Sequence, residues 1–378
     1  MSLTGTPFFL TTIVLTVVAV VLPLVLWSRV RGPAAVRGGA RLVMLVFAQA
    51  AAVMTVFVAV NNSNGLYDNW ADLLGTGNHI EAAPNLGDDG LGGKKMANEP
   101  VTRQEFKAVH DGRMGSGVKV TQLHGPVSKV KGEVYVWLPP QYSDPAYRNR
   151  KFPVVELLGG YPGSPKSWFG TLHVNTQLAS RMKRGDIAPF ILVQPRTNVL
   201  SGQDAGCANV PGIVNADSWL SVDVRKMVTD NFRAQTGAKG WAVAGYSAGA
   251  HCAVKLALAH PDRYRAAVGL SGYNDPAAEK DSITAKDPQL RKVNNPLWIL
   301  KHAKIPPHVA LFVTGRKHDG YLDGLALQRA AKSPTSVQVG VAGAHVTSVW
   351  RAQVPGVFRW LTLQLASYPG RTAPAKGI

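Results

Sequence analysis

Two uncharged apolar runs open the chain, and from about residue 116 the pattern changes to short apolar runs alternating with helical periodicity. Residues 8–27 and 42–60 are the uncharged runs, each about twenty residues long. An α-helix needs about 20 apolar residues to cross the roughly 30 Å hydrocarbon core, so each run is long enough to span a membrane. A cleaved secretory leader has a basic start and an apolar stretch of about 7–15 residues. No basic residue precedes Phe8 and the run is longer, a pattern that predicts two transmembrane helices within residues 1–60. Pro23 lies late in the first run, at a position where it can kink the helix.

Residues 61–115 lack a steady period. The stretch "GLYDNWADLLG" carries apolar residues at helical spacing, and "NLGDDGLGGKK" after it is glycine-rich and charged, as in a linker or irregular extension. Residues 116–370 then read as one domain. "VKVTQL" and "EVYVWL" alternate with period two and predict an antiparallel pair. The apolar runs "FPVVELLGG", "FILVQ", "WAVAG", "AAVGLSG", "HVALFVTG" and "SVQVGV" follow, mostly separated by helical stretches. Eight strands with helices between them predict an α/β domain with a mostly parallel sheet covered on both faces.

The loop between the two apolar runs holds Arg29, Arg31, Arg37 and Arg41. Short loops rich in Lys and Arg stay cytoplasmic, so everything after residue 60 is expected outside the cytoplasm, on a multi-pass plasma-membrane protein. The formal charge is +18, and the four arginines leave +14 for the rest of the chain. Such a field favours anionic surroundings. No nucleic-acid motif or clustered basic helix accompanies it, so nucleic acid is not an expected partner. Cys207 and Cys252 are the two cysteines. Outside the cytoplasm they can form a disulfide; two unpaired thiols are the alternative.

An open α/β sheet places its ligand site at the carboxyl ends of its strands. The fifth strand ends in Gly245-Tyr246-Ser247-Ala248-Gly249, a G-x-S-x-G turn that exposes a serine hydroxyl at a helix N-terminus. His345 follows the eighth strand, at the start of the last helical stretch, and is the candidate base. The seventh strand is followed by Asp319 and Asp323; Asp319, closer to the strand end, is the candidate acid that orients the histidine, with Asp323 the alternative. The candidate oxyanion donors are the N–H of Ala248 and that of Tyr161 in "LLGGYPG", with Gly160 the alternative; Pro162 has no N–H. Trp168, Tyr161 and Trp350 are placed to line an acyl or sugar cleft, with core packing the other role open to Trp350. There is no H-E-x-x-H, no cysteine–histidine ligand cluster, no P-loop and no dinucleotide fingerprint, so neither metal nor cofactor is expected.

"LLGGYPG", "GYSAGAHCAVKLALAHPDRY" and "GAHVTSVWRAQVPGVFRWL" together resemble the α/β-hydrolase esterase family that includes esterase D, the enterochelin esterases and the antigen 85 mycolyltransferases. The resemblance spans roughly residues 116–368, and "QDAGCANVPGIVNADSWLSVDV" is similar to actinobacterial members. It implies an α/β-hydrolase fold with Ser247 as nucleophile, His345 as base, and Tyr161 and Ala248 as oxyanion donors. Gly159 stands where the mycolyltransferases carry an aspartate. The expected activity is that of a membrane-anchored serine esterase or acyltransferase, acting on an ester substrate such as an acylated lipid or sugar. A silent surface or assembly module and a peptidase on the same fold are the alternatives.

Overall fold

The computed structural model describes residues 3–94 and 100–365. The parts of the expected anchor, linker and domain that fall on residues 1–2, 95–99 and 366–370 lie outside the described residues. The chain divides into two compact units, Met1–Thr76 and Gly77–Ile378. In the first, α1 (Thr6–Leu26) and α2 (Ala34–Asn64) form a helical hairpin, followed by the short α3 (Trp70–Leu74). Both α1 and α2 are long and apolar enough to cross a membrane. At 1.5 Å per residue, the 21 residues of α1 extend about 31 Å. The pair is pinned midway by polar contacts: the hydroxyl of Thr16 lies 2.9 Å from the carbonyl of Ala51 and 2.8 Å from the hydroxyl of Thr55. Arg41 closes the arginine-bearing end, its guanidinium over the Trp27 ring and donating to the Trp27 carbonyl.

The second unit is built on one sheet. Its strands are β1 (Lys107–Ala108), β2 (Val118–His124), β3 (Lys131–Trp137), β4 (Val154–Leu158) and β5 (Ile191–Pro195). A separate small hairpin, β6 (Asn209–Val210) and β7 (Val214–Asn215), is followed by β8 (Trp241–Tyr246), β9 (Ala266–Leu270), β10 (Ala310–Gly315) and β11 (Ser336–Val341). The order in the sheet is β1-β2-β3-β5-β4-β8-β9-β10-β11. The β1–β2, β2–β3 and β3–β5 pairs are antiparallel, and the remaining pairs are parallel. All eight expected strands are present. The ninth, β1, is two exposed residues long, too short for alternation to reveal.

Alternation along the central strands sends side chains into two cores. Trp241 and Val243 of β8 face one cluster, with Cys252 and Leu256; Ala242, Ala244 and Tyr246 face the other, with Leu178 and Phe358. Helices α5 (Arg225–Asn231), α6 (Ala248–Ala259) and α7 (Tyr321–Ala330) contribute to the first core, and α4 (Val174–Lys183) and α8 (Thr347–Gln364) to the second. Both faces of the sheet are therefore buried, which is why its parallel strands are nearly continuous in apolar residues. Cys207 and Cys252 are joined in a disulfide with Cα atoms 5.6 Å apart, which ties α6 to the loop after β5.

The central strand β4 carries a carboxyl. Glu156 of β4 is wholly buried and accepts a 2.7 Å hydrogen bond from the Tyr264 hydroxyl. Burial pushes its carboxyl up to about 8. A carboxyl whose folded-state value lies above its unfolded value near 4.5 keeps its proton only in the folded chain across that window, so its contribution falls as pH rises from about 4.5 to 8. Asp204, raised to about 6 by burial, acts in the same direction. We therefore expect the melting temperature of this unit to fall between pH 5 and pH 9. Glu156→Gln, neutral and of the same shape, should flatten that slope and raise Tm at pH 9 by at least about 2–4 °C, the equivalent of about 1 kcal/mol in a domain of this size. Coincident pH profiles for the two proteins in calorimetry would contradict this.

Candidate active site

Ser247 sits between the last residue of β8 and the first of α6, with φ 56° and ψ −127°. A positive φ is strained for any residue with a Cβ and persists only where its surroundings enforce it. Here two glycines do so. A Cβ on Gly245 would lie 1.9 Å from the carbonyl oxygen of Gly249. One on Gly249 would lie 2.4 Å and 2.5 Å from the carbonyl oxygens of Gly159 and Leu158. Strand, helix and the loop after β4 thus meet backbone against backbone. The Ser247 N–H donates to the Leu270 carbonyl at 2.9 Å, which fastens the turn to β9.

The Ser247 hydroxyl lies 3.0 Å from His345 Nε2, and His345 Nδ1 lies 2.9 Å from Asp319 Oδ1. With the ring proton on Nδ1, the imidazole donates to Asp319 and accepts from the serine. His345 stands in the loop between β11 and α8, two residues ahead of Thr347 rather than at the start of the helix. The loop lets the ring turn toward Ser247, and its side chain is 42% exposed. Asp319 closes a tight turn after β10, where a Cβ on Gly315 would lie 1.9 Å from the Asp319 carbonyl oxygen. Asp323, the alternative acid, is directed elsewhere. Its carboxylate accepts from the Asn274 N–H at 2.9 Å, and its carbonyl accepts from the Asn274 side chain at 3.1 Å, which ties down the loop after β9. Burial raises its pKa.

The oxyanion candidates lie around the same serine. Ala248 is the first residue of α6, so its N–H has no acceptor within the helix. Gly160 reaches the site closely enough that a Cβ there would lie 3.1 Å from Ser247 Cβ. Tyr246 packs against this loop: a Cβ on Gly160 would lie 3.1 Å from its ring, and burial raises the pKa of its phenol. The Tyr161 N–H stays the first candidate from this loop, with the Gly160 N–H the alternative. Two residues after β5 also hold the loop. Thr197 Oγ1 accepts from the Gly159 N–H at 3.3 Å, and Asn198 Nδ2 donates to the carbonyls of Gly160 and Gly163 at 3.0 Å and 2.8 Å.

The tryptophans correct the expectation of a cleft lining. Trp168 and Trp350 are 1% and 4% exposed. Trp350 stacks on Tyr246 at 4.5 Å, meets the His345 ring edge-on at 4.8 Å and donates to Ser271 Oγ. Trp168 also packs on Tyr246, with ring centroids 5.8 Å apart, and donates to the Leu158 carbonyl. They form a floor under the polar groups, because large aromatic rings beside a strand end gain more from burial than from solvent. Sequence reasoning missed Tyr246, Thr197 and Asn198. Tyr246 occupies a free position of the serine motif, and the other two follow a strand end with no motif to mark them. Among the described residues no group of His, Cys, Asp and Glu is arranged to hold a metal.

The geometry separates the two aspartates. Asp319→Asn should lower kcat for p-nitrophenyl butyrate by about 10³–10⁴, the loss seen when the histidine is presented in the wrong tautomer. Asp323→Asn should retain kcat within about tenfold, because it removes a loop contact only. Steady-state kinetics of the two variants checks this, and the reverse ranking would contradict it.

Residues 128–359 match the Esterase family, whose description reads "Putative esterase". Over 252 residues the chain is 26% identical to an uncharacterised protein of Corynebacterium glutamicum, which covers 61% of this chain and 56% of that protein. The chain thus spans about half the length of the curated relative it matches. Among solved structures, a ferulic acid esterase superposes with a TM-score of 0.54 at 19% identity, covering 65% of this chain and 97% of the other. An S-formylglutathione hydrolase from Agrobacterium tumefaciens gives 0.52 at 14% identity, covering 71% and 100%. A fluorophosphonate-binding serine hydrolase of Staphylococcus aureus gives 0.51 at 16%, covering 69% and 99%. These superpositions carry the α/β-hydrolase fold, and with a family match across more than half of its length the chain belongs to the Esterase family.

Proposed function

We propose that this chain is a membrane-anchored serine ester hydrolase whose domain lies outside the cytoplasm. The observation that carries the reading is the hydrogen-bonded series from Ser247 Oγ to His345 Nε2 and from His345 Nδ1 to Asp319. In this reading Ser247 Oγ attacks the ester carbonyl while His345 Nε2 takes its proton. The N–H groups of Ala248 and Tyr161 meet the negative charge that develops on the carbonyl oxygen. Collapse expels the alcohol, protonated by His345, and leaves the acyl group on Ser247. Water then attacks with His345 again as base, the carboxylic acid departs and the serine regains its proton. Asp319 holds the imidazole in its Nδ1–H tautomer and stabilises the imidazolium.

The exposed His345 side chain fits an ester with a large acyl or alcohol part, and the anchor favours acylated lipids or sugars as the substrate class. A sugar or glycerol hydroxyl in place of water makes the same acyl-enzyme an acyltransferase intermediate. Support for the orientation comes from the four arginines between α1 and α2 and from the disulfide, a bond that persists in oxidising compartments.

One experiment addresses both parts. A membrane-impermeant fluorophosphonate probe, added to intact cells expressing the full chain, should label wild type and leave Ser247→Ala unlabelled. Labelling only after permeabilisation would overturn the orientation. Absence of labelling and of ester turnover in folded, permeabilised material would overturn the hydrolase reading.

A further inference from the structure

Asn198 presents an arrangement that the proposed mechanism has not used. It follows β5, is half-buried, and spends both amide hydrogens on carbonyls of the glycine-rich loop: Gly160 O at 3.0 Å and Gly163 O at 2.8 Å. The first of these belongs to the peptide unit that links Gly160 to Tyr161, the unit that carries the candidate oxyanion N–H. That peptide is trans, so its C=O and N–H point to opposite sides of one rigid plane. A donor fixed on the carbonyl therefore sets the direction of the N–H. A second handle on the loop agrees: the Gly159 N–H is held by Thr197. A loop of sequence Gly-Gly-Tyr-Pro-Gly has few side chains with which to fix its own peptide planes, and glycine's wide conformational range makes outside restraint necessary.

We propose that Asn198 is a positioning residue for the reaction, a step that rests on the serine hydrolase reading. It locks the Gly160–Tyr161 peptide with the Tyr161 N–H aimed at the developing oxyanion. It also polarises that peptide, since a hydrogen bond accepted at the carbonyl strengthens the donor at the other end of the same amide. The benefit is realised in the transition state, where the charge resides, and little of it in substrate binding.

The test uses the full chain in detergent, with p-nitrophenyl butyrate as substrate and butylboronic acid as a tetrahedral adduct former. Asn198→Ala should lower kcat by at least about tenfold, toward the 10²–10³ of losing an oxyanion donor outright. KM should stay within about twofold. Affinity for the boronic acid should weaken in step with kcat, a readout that a merely structural role would not move. Asn198→Asp, of the same shape but able only to accept, should lose at least as much, with Tm close to wild type in both variants. The role is overturned if Asn198→Ala keeps kcat within about twofold, if the loss appears in KM alone, or if both variants fail to fold. Wild type without turnover and with Ser247 unlabelled overturns the hydrolase reading itself. Active wild type beside an unaffected Asn198→Ala overturns only the role of Asn198.

Discussion

The backbone-to-backbone contact at Ser247 is the constraint on which the rest of the site depends. A side chain at Gly245 or Gly249 would collide with carbonyl oxygens of α6 or of the loop after β4. Without side chains there, β8, α6 and that loop close together, and the residue between them is forced to a positive φ. The strain at one non-glycine residue, of order 1–3 kcal/mol, is held by the packing of three elements. In return the serine side chain stands clear of the sheet at the start of a helix, where unpaired N–H groups and the helix dipole favour negative charge.

Around that contact the polar groups rest on an apolar support. Tyr246, adjacent to Ser247, packs against Trp168, Trp350 and Gly160, so one side chain joins the core to the loop after β4. Trp350 in turn touches the His345 ring edge-on, which restricts the orientation of a side chain that is otherwise well exposed. The three candidate residues come from the ends of three different strands. Their mutual distances follow from the parallel register of β8, β9, β10 and β11 and from short loops beyond it. The disulfide from Cys252 to Cys207, and the pairing of Lys255 and of His260 just past the helix end with Asp217, anchor the helix that begins directly after the serine.

Much of this was legible in the sequence, and the reasons differ by feature. Buried parallel strands announce themselves as short apolar runs, so all eight expected strands were found. The G-x-S-x-G turn was readable because its glycines answer a local steric demand. Chain order could place His345 and Asp319 near Ser247, since a parallel sheet sends each strand end to the same edge. Strand β1 was not legible, being two residues of edge pairing with no alternation. Distance from the strand end favoured Asp319 over Asp323, but the turn at Gly315 and the loop contact of Asn274 that direct the two side chains apart left no mark in the sequence. The burial of Trp168 and Trp350 and the grip of Asn198 were hidden for the same reason. Each depends on where a neighbouring strand lies, and nothing in the local pattern records it.

The central claim is that Ser247, His345 and the Gly160–Tyr161 peptide form one preorganised acyl-transfer site. The most direct measurement is a crystal structure of the chain after reaction with an alkyl fluorophosphonate. The account predicts a phosphorus–Oγ bond at Ser247, His345 Nε2 within hydrogen-bond reach, and the phosphonyl oxygen about 2.7–3.1 Å from the N–H groups of both Ala248 and Tyr161. A phosphonate bonded to another residue, or a phosphonyl oxygen turned away from both N–H groups, would contradict it.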